Sequence, residues 1–253
     1  MIYFCIPAYN EAATVGVLLW KIRRVMEDLP RDYEVLVLDD ASTDTTLDVL
    51  APYARVLPLT VIRQNEQQGY AAAIERLIRE AVSRSTHPRR DIVITLQADF
   101  TEAPEDLPTL IRRMEGGADI VEGAVLGEGL DVPRLLRYTR KGIPLLLKGV
   151  AIPTGSLDPV SGFRAYRVTV LKRTLADLNG SPLLTSDGWA ANVELLMAVG
   201  RHSRRTEGVE VSRRHRMRQR ESRFQPWNTL VRVWKLGRRF RGRSTVVPSP
   251  EPV

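Results

Sequence analysis

The sequence predicts an α/β protein in which a mostly parallel central sheet is flanked by helices. From residue 1 to about residue 125, short apolar segments alternate with amphipathic segments, and the connections between them are short. This alternation is typical of a parallel sheet covered by helices on both faces. The composition, 43% hydrophobic and 26% charged over 253 residues, allows one large hydrophobic core.

Each element is predicted from its own pattern. Apolar runs predict strands at Ile2 to Ile6, Glu34 to Leu38, Leu57 to Ile62, Asp91 to Leu96 and Asp119 to Val125. Apolar residues at helical spacing predict helices over 17–29, 44–50, 68–83 and 105–114.

Beyond residue 127 the pattern is looser. Helices interrupted by Pro133 and Pro144 are predicted over 130–150, a turn followed by a strand and a helix over 158–168, and another helix over 188–200. Residues 244–253 contain three prolines and no periodicity, which predicts a disordered tail.

The single cysteine, Cys5, lies in the first predicted strand. A lone cysteine excludes an internal disulfide framework and a multi-cysteine zinc site. We therefore expect Cys5 to be a core residue.

The formal net charge of +7 is concentrated near the C-terminus. Residues 1–200 carry a net charge of −4, whereas residues 201–243 carry +12. No segment reaches the ~20 consecutive apolar residues that span a bilayer, and the chain starts without a signal peptide. We expect a cytoplasmic protein, either soluble or peripheral on the inner face of the membrane, without a transmembrane segment.

A polar loop, Pro7-Ala8-Tyr9-Asn10-Glu11, ends the first predicted strand. A planar ring beside small residues can lie against a nucleobase, and Asn10 and Glu11 can supply polar contacts or cap the next helix. A capped turn without a ligand is sufficient to explain this loop.

Two adjacent carboxylates, Asp39 and Asp40, follow the second strand and precede Ser42-Thr43-Asp44. Helix capping explains residues 42–44 but not the carboxylate pair, because neighbouring like charges are unfavourable. We predict that one of the pair accepts hydrogen bonds from a base or a ribose.

Gly69 precedes an alanine-rich helix that starts at Tyr70. A glycine at a helix start lets phosphate oxygens approach the exposed N–H groups. The alternative is a helix packed tightly on the sheet.

The segment Gln97-Ala98-Asp99 follows the fourth strand. Residues one apart on an extended segment point the same way, so Gln97 and Asp99 can share a divalent ion that bridges a diphosphate. Gln97 can ligate only through a neutral carbonyl, which predicts weak binding of Mg²⁺ or Mn²⁺. Thr101 and Glu102 follow closely and could compensate.

These loops, together with Asp158-Pro159-Val160-Ser161-Gly162-Phe163-Arg164-Ala165-Tyr166-Arg167, resemble the family 2 glycosyltransferases of the GT-A fold. The resemblance is closest to the polyprenyl-phosphate sugar transferases typified by dolichyl-phosphate mannose synthase, and it runs from residue 2 to about 224. It implies a GT-A domain over 1–224, with a nucleotide-binding half at 1–125 and an acceptor half at 126–224. A basic amphipathic helix is expected over 225–243.

The resemblance implies inverting transfer of a sugar from a GDP- or UDP-sugar to an acceptor, such as a polyprenyl phosphate at the membrane surface. The residues that it assigns to the nucleotide sugar are Pro7, Ala8, Tyr9, Glu11, Asp39, Asp40, Gly69, Gln97, Ala98 and Asp99. Those that it assigns to phosphates or the acceptor are Ser161, Gly162, Arg164, Arg220, Ser222 and Arg223. Asp99, Asp187, Arg164 and Arg220 are the candidate catalytic residues, and Asp99 with Gln97 the candidate metal ligands.

The chain departs from the family pattern at two phosphate-handling positions. The usual Asp-x-Asp is Gln97-Ala98-Asp99, and Gly123-Ala124-Val125 stands where a Gly-Ser-Arg is common in the lipid-phosphate branch. A non-catalytic protein that binds nucleotide sugars or anionic surfaces is therefore the alternative from another functional class. Donor hydrolysis or transfer distinguishes the two.

Asp187, in Ser186-Asp187-Gly188-Trp189, has two interpretations. In relatives that transfer to hydroxyl groups, an Asp at this position is the general base. A phosphate acceptor is already anionic and needs no base. Asp187 could instead cap the predicted helix at 188–200.

The C-terminal segment combines aromatic and basic residues. Trp227, Trp234 and Phe240 lie among Arg232, Lys235, Arg238 and Arg239. This pattern suits an interfacial helix on an anionic membrane, or a helix that packs on the catalytic domain with exposed arginine tips. Nucleic-acid binding is not expected, because only the charge favours it. The sequence does not indicate the oligomeric state.

Overall fold

The computed structural model describes residues 1–124, 147, 152–211 and 226–240, and in the last range the side chains of 231–238. Several predicted features lie outside the described residues: the helices over 130–150, Val125, Arg220, Ser222, Arg223 and the tail at 244–253.

Seven strands form one sheet in the described part of the chain. They are β1 (Ile2–Ala8), β2 (Tyr33–Asp39), β3 (Leu59–Arg63), β4 (Ile92–Thr95), β5 (Ile120–Ala124), β6 (Arg164–Arg167) and β7 (Thr206–Glu210). The helices are α1 (Val15–Glu27), α2 (Thr46–Tyr53), α3 (Tyr70–Arg84), α4 (Leu107–Glu115), α5 (Val168–Asp177), α6 (Trp189–Gly200) and α7 (Pro226–Phe240), and a short 3₁₀ helix (Pro104–Asp106) precedes α4.

The strand order is β3-β2-β1-β4-β6-β5-β7. The strands β3, β2, β1 and β4 are mutually parallel, β6 is antiparallel to both β4 and β5, and β7 is parallel to β5. The prediction of a mostly parallel sheet is confirmed. Strand β7 was not predicted, because its sequence Thr-Glu-Gly-Val-Glu has a single large apolar residue, Val209.

Both faces of the sheet are buried, which explains why the central strands are apolar at nearly every position. On one face, Phe4 and Ile6 pack with α1 and α4; on the other, Tyr3 and Cys5 pack with α3, α5 and α6. Cys5 is a fully buried core residue, as expected. Burial raises the pKa of its thiol, so it stays protonated and unreactive.

The C-terminal helix α7 packs on α6. Val233 and Leu236 are buried against Val193 and Met197 of α6. The opposite side exposes Val231 and Trp234 together with three cations, Arg232, Lys235 and Arg238. Among the described residues, no helix has the length and apolar character needed to cross a membrane.

Candidate functional site

The polar loops identified from the sequence meet at the carboxyl edge of the parallel strands, where open α/β sheets bind ligands. Three non-glycine residues there have left-handed backbone: Asn10 (φ 54°), Ala41 (φ 59°) and Phe100 (φ 57°). They follow β1, β2 and β4. Such conformations cost energy and concentrate at functional sites.

The first two loops are tied together by hydrogen bonds. The Asn10 N–H donates to Ser42 Oγ (2.9 Å), and Asn10 Oδ1 accepts from the Thr43 N–H (2.8 Å). The Glu11 N–H donates to Thr46 Oγ1 at 2.9 Å, and Glu11 Oε2 accepts from Thr14 Oγ1. Asn10 and Glu11 therefore fix the start of α1 relative to the start of α2. Pro7 and Tyr9 beside them are partly buried, and Ala8 is buried.

Asp39 is fully buried at the end of β2. Its Oδ1 accepts from the Ser42 N–H at 3.3 Å, whereas Oδ2 has no hydrogen-bond partner among the described residues. Buried carboxylate oxygens are rarely left without a donor. Asp39 Oδ2 is thus an acceptor suited to an N–H or O–H group of a ligand.

Asp40 shapes the third loop. Its two carboxylate oxygens accept from the N–H groups of Gln68 (2.8 Å) and Gly69 (2.9 Å). Gly69 has φ +90°, which explains why a glycine is required before α3. The N–H groups assigned to phosphate from the sequence thus have a carboxylate partner. This geometry favours a positioning role for Asp40 over contact with a ligand.

Asp187 also contacts the start of α3. Its Oδ1 accepts from the Ala71 N–H at 3.2 Å, and its Oδ2 lies 3.7 Å from Arg232 Nη1 of α7. Within the described residues, no hydrogen bond joins Asp187 to the start of α6. The capping prediction for Asp187 was therefore wrong about the helix: Asp187 caps α3 from a distant loop, and not α6. Its side chain is half exposed.

Two carboxylates fix the segment after β4 by hydrogen bonds to its backbone. The Gln97 N–H donates to Glu102 Oε2 at 3.1 Å, and the Thr101 N–H donates to Asp99 Oδ1 at 3.0 Å. Asp99 and Ala98 are buried. Glu102 therefore supports the loop that carries Gln97 and Asp99.

The Gln97 amide lies in a neutral polar cluster. A Cβ added to Gly162 would lie 3.4 Å from Gln97 Nε2, 3.3 Å from Asn192 Nδ2 and 3.2 Å from the Tyr70 hydroxyl. The Tyr70 hydroxyl donates to Asn192 Oδ1 at 2.7 Å, and burial raises the pKa of Tyr70, so this group stays neutral. The surroundings of Gln97 suit a neutral side chain.

The described residues contain no group of three or more His, Cys, Asp or Glu side chains that could hold a metal ion. Asp99 and the Gln97 carbonyl are oxygen ligands of the kind that Mg²⁺ and Mn²⁺ prefer. This donor set fits a divalent ion only if other oxygens, from a bound diphosphate and water, complete its shell.

Arg164 is fully buried at the start of β6. Its Nε and Nη2 donate to Glu122 Oε1 (3.1 and 2.8 Å), Nη1 donates to the Asn192 carbonyl (2.7 Å) and Nη2 to the Asp158 carbonyl (3.0 Å). The guanidinium would have to leave these partners to reach a phosphate. The geometry favours a structural role over the catalytic one assigned from the sequence.

The contacts of the neighbouring Ser161 and Gly162 favour a structural role. Ser161 is buried, and its Oγ donates to the Gly123 carbonyl at 2.7 Å. The Gly162 carbonyl accepts from Thr95 Oγ1 at 2.7 Å. The segment at 158–167 thus joins β4, β5 and α6 beside the site.

Sequence reasoning missed four polar residues near the site: Gln64, Tyr70, Glu122 and Asn192. Glu122 interrupts an apolar strand, and Gln64 directly follows one, which are the only signals in the sequence. Gln64 is buried, its N–H donates to the Asp39 carbonyl at 2.9 Å, and neither side-chain amide atom has a partner among the described residues.

Comparisons with known proteins agree with this geometry. The family model described as Glycosyl transferase family 2 matches residues 3–175. An undecaprenyl-phosphate 4-deoxy-4-formamido-L-arabinose transferase of Pseudomonas fluorescens is 34% identical over 176 residues, which are 68% of this chain and 48% of the relative. A dolichol-phosphate mannosyltransferase of Pyrococcus furiosus is 31% identical over 172 residues, 66% of this chain and 46% of the relative. The chain spans about half the length of these relatives.

Two solved structures have the same fold. Mannosyl-3-phosphoglycerate synthase from Rubrobacter xylanophilus has a TM-score of 0.66 and 18% identity, covering 100% of this chain and 78% of that one. Glucosyl-3-phosphoglycerate synthase from Mycobacterium tuberculosis, in complex with Mn²⁺, UDP-glucose and phosphoglyceric acid, has a TM-score of 0.63 and 20% identity, covering 95% and 79%. The predicted GT-A fold is confirmed. The chain belongs to glycosyl transferase family 2.

Proposed function

We propose that this chain is an inverting glycosyltransferase domain that transfers a sugar from a nucleotide-diphosphate sugar to a polyprenyl phosphate at a membrane surface. The observation that carries the proposal is the convergence of Asp39 and Asp99 at one edge of the sheet, with the loops around them fixed by hydrogen bonds. The names of the two family relatives, which refer to undecaprenyl and dolichol phosphate, support the acceptor class.

Asp39 is the proposed contact to the nucleoside. Its buried Oδ2 lacks a donor, and a base N–H or a ribose hydroxyl would supply one. A charge-assisted hydrogen bond of this kind contributes about 1.5–3 kcal/mol. Tyr9, in the adjoining loop, is the proposed stacking surface for the base.

Asp99 is the proposed contact to the donor diphosphate through Mg²⁺ or Mn²⁺. The ion, when bound, offsets the negative charge that develops on the leaving diphosphate. Asp99 supplies the charged ligand and Gln97 at most a neutral carbonyl, so we expect weak metal affinity without nucleotide. Glu102 keeps this loop in place by accepting from the Gln97 N–H.

The acceptor side favours an anionic nucleophile. Asp187 is engaged by the Ala71 N–H and lies near Arg232, which suits a residue that positions the start of α3. A polyprenyl phosphate needs no base, so Asp187 does not have to accept a proton.

The exposed face of α7 is the proposed membrane contact. Val231 and Trp234 are exposed beside Arg232, Lys235 and Arg238. Apolar and aromatic side chains with flanking cations bind the interface of anionic membranes. This contact would bring the domain to a lipid-linked acceptor and supports a peripheral position on the cytoplasmic leaflet.

A hydroxyl acceptor is the second candidate. The observation in its favour is that Asp187 is half exposed, as a general base that takes a proton from the acceptor would have to be. Radiolabelled GDP- and UDP-sugars, each offered with a short polyprenyl phosphate, with soluble hydroxyl compounds or with water, separate the candidates. We expect transfer to the polyprenyl phosphate. Transfer only to hydroxyl compounds supports the second candidate, and donor binding without transfer or hydrolysis refutes both.

A further inference from the structure

A second concave surface lies at the opposite edge of the sheet from Asp39 and Asp99. It has a volume of about 760 Å³ and lies between the loop before β4 and one face of α5. Four cationic side chains line it, Arg89, Arg90, Lys172 and Arg173. None of its lining residues is acidic.

These four cations lack the partners that arginines elsewhere in the chain have. Arg79 and Arg84, for example, each pair with a glutamate four residues earlier. The side chains of Arg89, Arg90, Lys172 and Arg173 have no hydrogen bond or ion pair within the described residues. Uncompensated like charges around one concavity repel each other and strengthen the local positive potential, which attracts anions.

Hydrogen bonds fix the backbone that carries the cations. Asp91 Oδ2 accepts from the His87 N–H (3.1 Å) and from Ser85 Oγ (2.6 Å). The Thr169 N–H at the start of α5 donates to the Pro88 carbonyl at 2.9 Å. The loop and the helix are thus fixed to each other, so a ligand does not have to order them, and that lowers the cost of binding.

We propose that this concavity, the far-edge basic pocket, binds a phosphate-bearing ligand at a site separate from the transfer centre. Arginine guanidinium groups form paired hydrogen bonds with phosphate oxygens. Pro88, Ala176 and the aliphatic stems of the cations provide an apolar base, which suits a phosphate attached to an organic body. The ligand is either a soluble phosphate compound or a phospholipid headgroup.

Pyrophosphate and lipid vesicles distinguish the two sources. The test variant is Arg89→Glu with Arg173→Glu, and the control is Arg55→Glu with Arg112→Glu, two exposed arginines elsewhere that give the same change in net charge. Because the transfer centre is also expected to bind pyrophosphate, the readout has to be local. Hydrogen exchange of peptides covering 85–91 and 168–176 reports on the far-edge basic pocket alone. A milder pair, Arg89→Gln with Arg173→Gln, serves if charge reversal impairs folding.

For a soluble ligand, pyrophosphate slows exchange at these peptides in the wild type and control, and the test variant needs at least about tenfold more pyrophosphate for the same effect. For a headgroup, phosphatidylglycerol vesicles slow exchange at these same peptides in the wild type and control but not in the test variant, whereas sedimentation is not the readout because α7 is also expected to bind anionic vesicles. Equal behaviour of the test and control variants with both probes, or no response of the wild type to either, overturns the proposal.

Discussion

Replacing Glu122 with Gln tests the buried ion pair behind the site. Glu122 and Arg164 are both fully buried and 2.8 Å apart, and Glu122 Oε2 also accepts from the N–H groups of Leu157 (2.7 Å) and Asp158 (2.8 Å). Burial opposes the charge on Arg164, but Tyr166 and Glu122 outweigh it and raise the pKa of Arg164 above its ordinary value. The substitution therefore leaves a charged guanidinium buried without a counter-ion.

The expected loss is about 3–5 kcal/mol, the typical cost of breaking one side of a buried pair. That is a large part of the ~5–15 kcal/mol that stabilises a typical domain. Urea unfolding followed by tryptophan fluorescence measures it. The control is Glu27→Gln, which removes an exposed carboxylate that contacts Arg23 and Arg24, with an expected effect below about 1 kcal/mol. A Glu122→Gln protein as stable as the control would refute the structural role of this pair.

Three further substitutions test the loops at the carboxyl edge. Gly69→Ala forces an L-residue to φ 90° and ψ 171°, a conformation that essentially only glycine adopts, so we expect about 1–3 kcal/mol lower stability in urea unfolding and weaker donor binding by calorimetry. An unchanged protein contradicts this backbone conformation. Asp39→Asn should weaken GDP or UDP binding about ten- to hundredfold in calorimetric titration, because it removes a buried charged acceptor; equal affinity argues against nucleoside contact. Asp187→Asn keeps an oxygen for the Ala71 N–H, so kcat with a phosphate acceptor should stay within about tenfold, whereas complete loss contradicts a purely positioning role for Asp187.

The parallel half of the fold could be predicted from the sequence because each strand is buried on both faces and therefore apolar. The ends of the predicted strands then gave the positions of the polar loops. Asp39 and Asp99 do lie at the same edge of the sheet. Strand β7 could not be predicted, since its pairing with β5 is a backbone interaction that leaves little trace in side chains.

The roles of individual polar residues were harder to predict. Arg164 was assigned to phosphate because the resemblance of residues 158–167 to family 2 glycosyltransferases implies that role, but its partner Glu122 lies 42 positions away in the sequence. Asp40 and Asp187 likewise find their N–H partners in the distant start of α3. The sequence pattern indicates that such polar residues have defined partners, but it does not identify which groups they contact.

Asp99 is proposed to contact the donor diphosphate in a glycosyl-transfer centre. The most direct measurement is transfer of radiolabelled sugar to a polyprenyl phosphate by Asp99→Asn, beside the control Asp48→Asn at an exposed site on α2, each with Mn²⁺ and with a chelator. We expect the wild type and the control to be active with Mn²⁺ and much slower with the chelator, and Asp99→Asn to lose at least about a hundredfold with Mn²⁺ and to change little when the chelator is added. Wild-type rates from a folded Asp99→Asn protein would contradict the assignment.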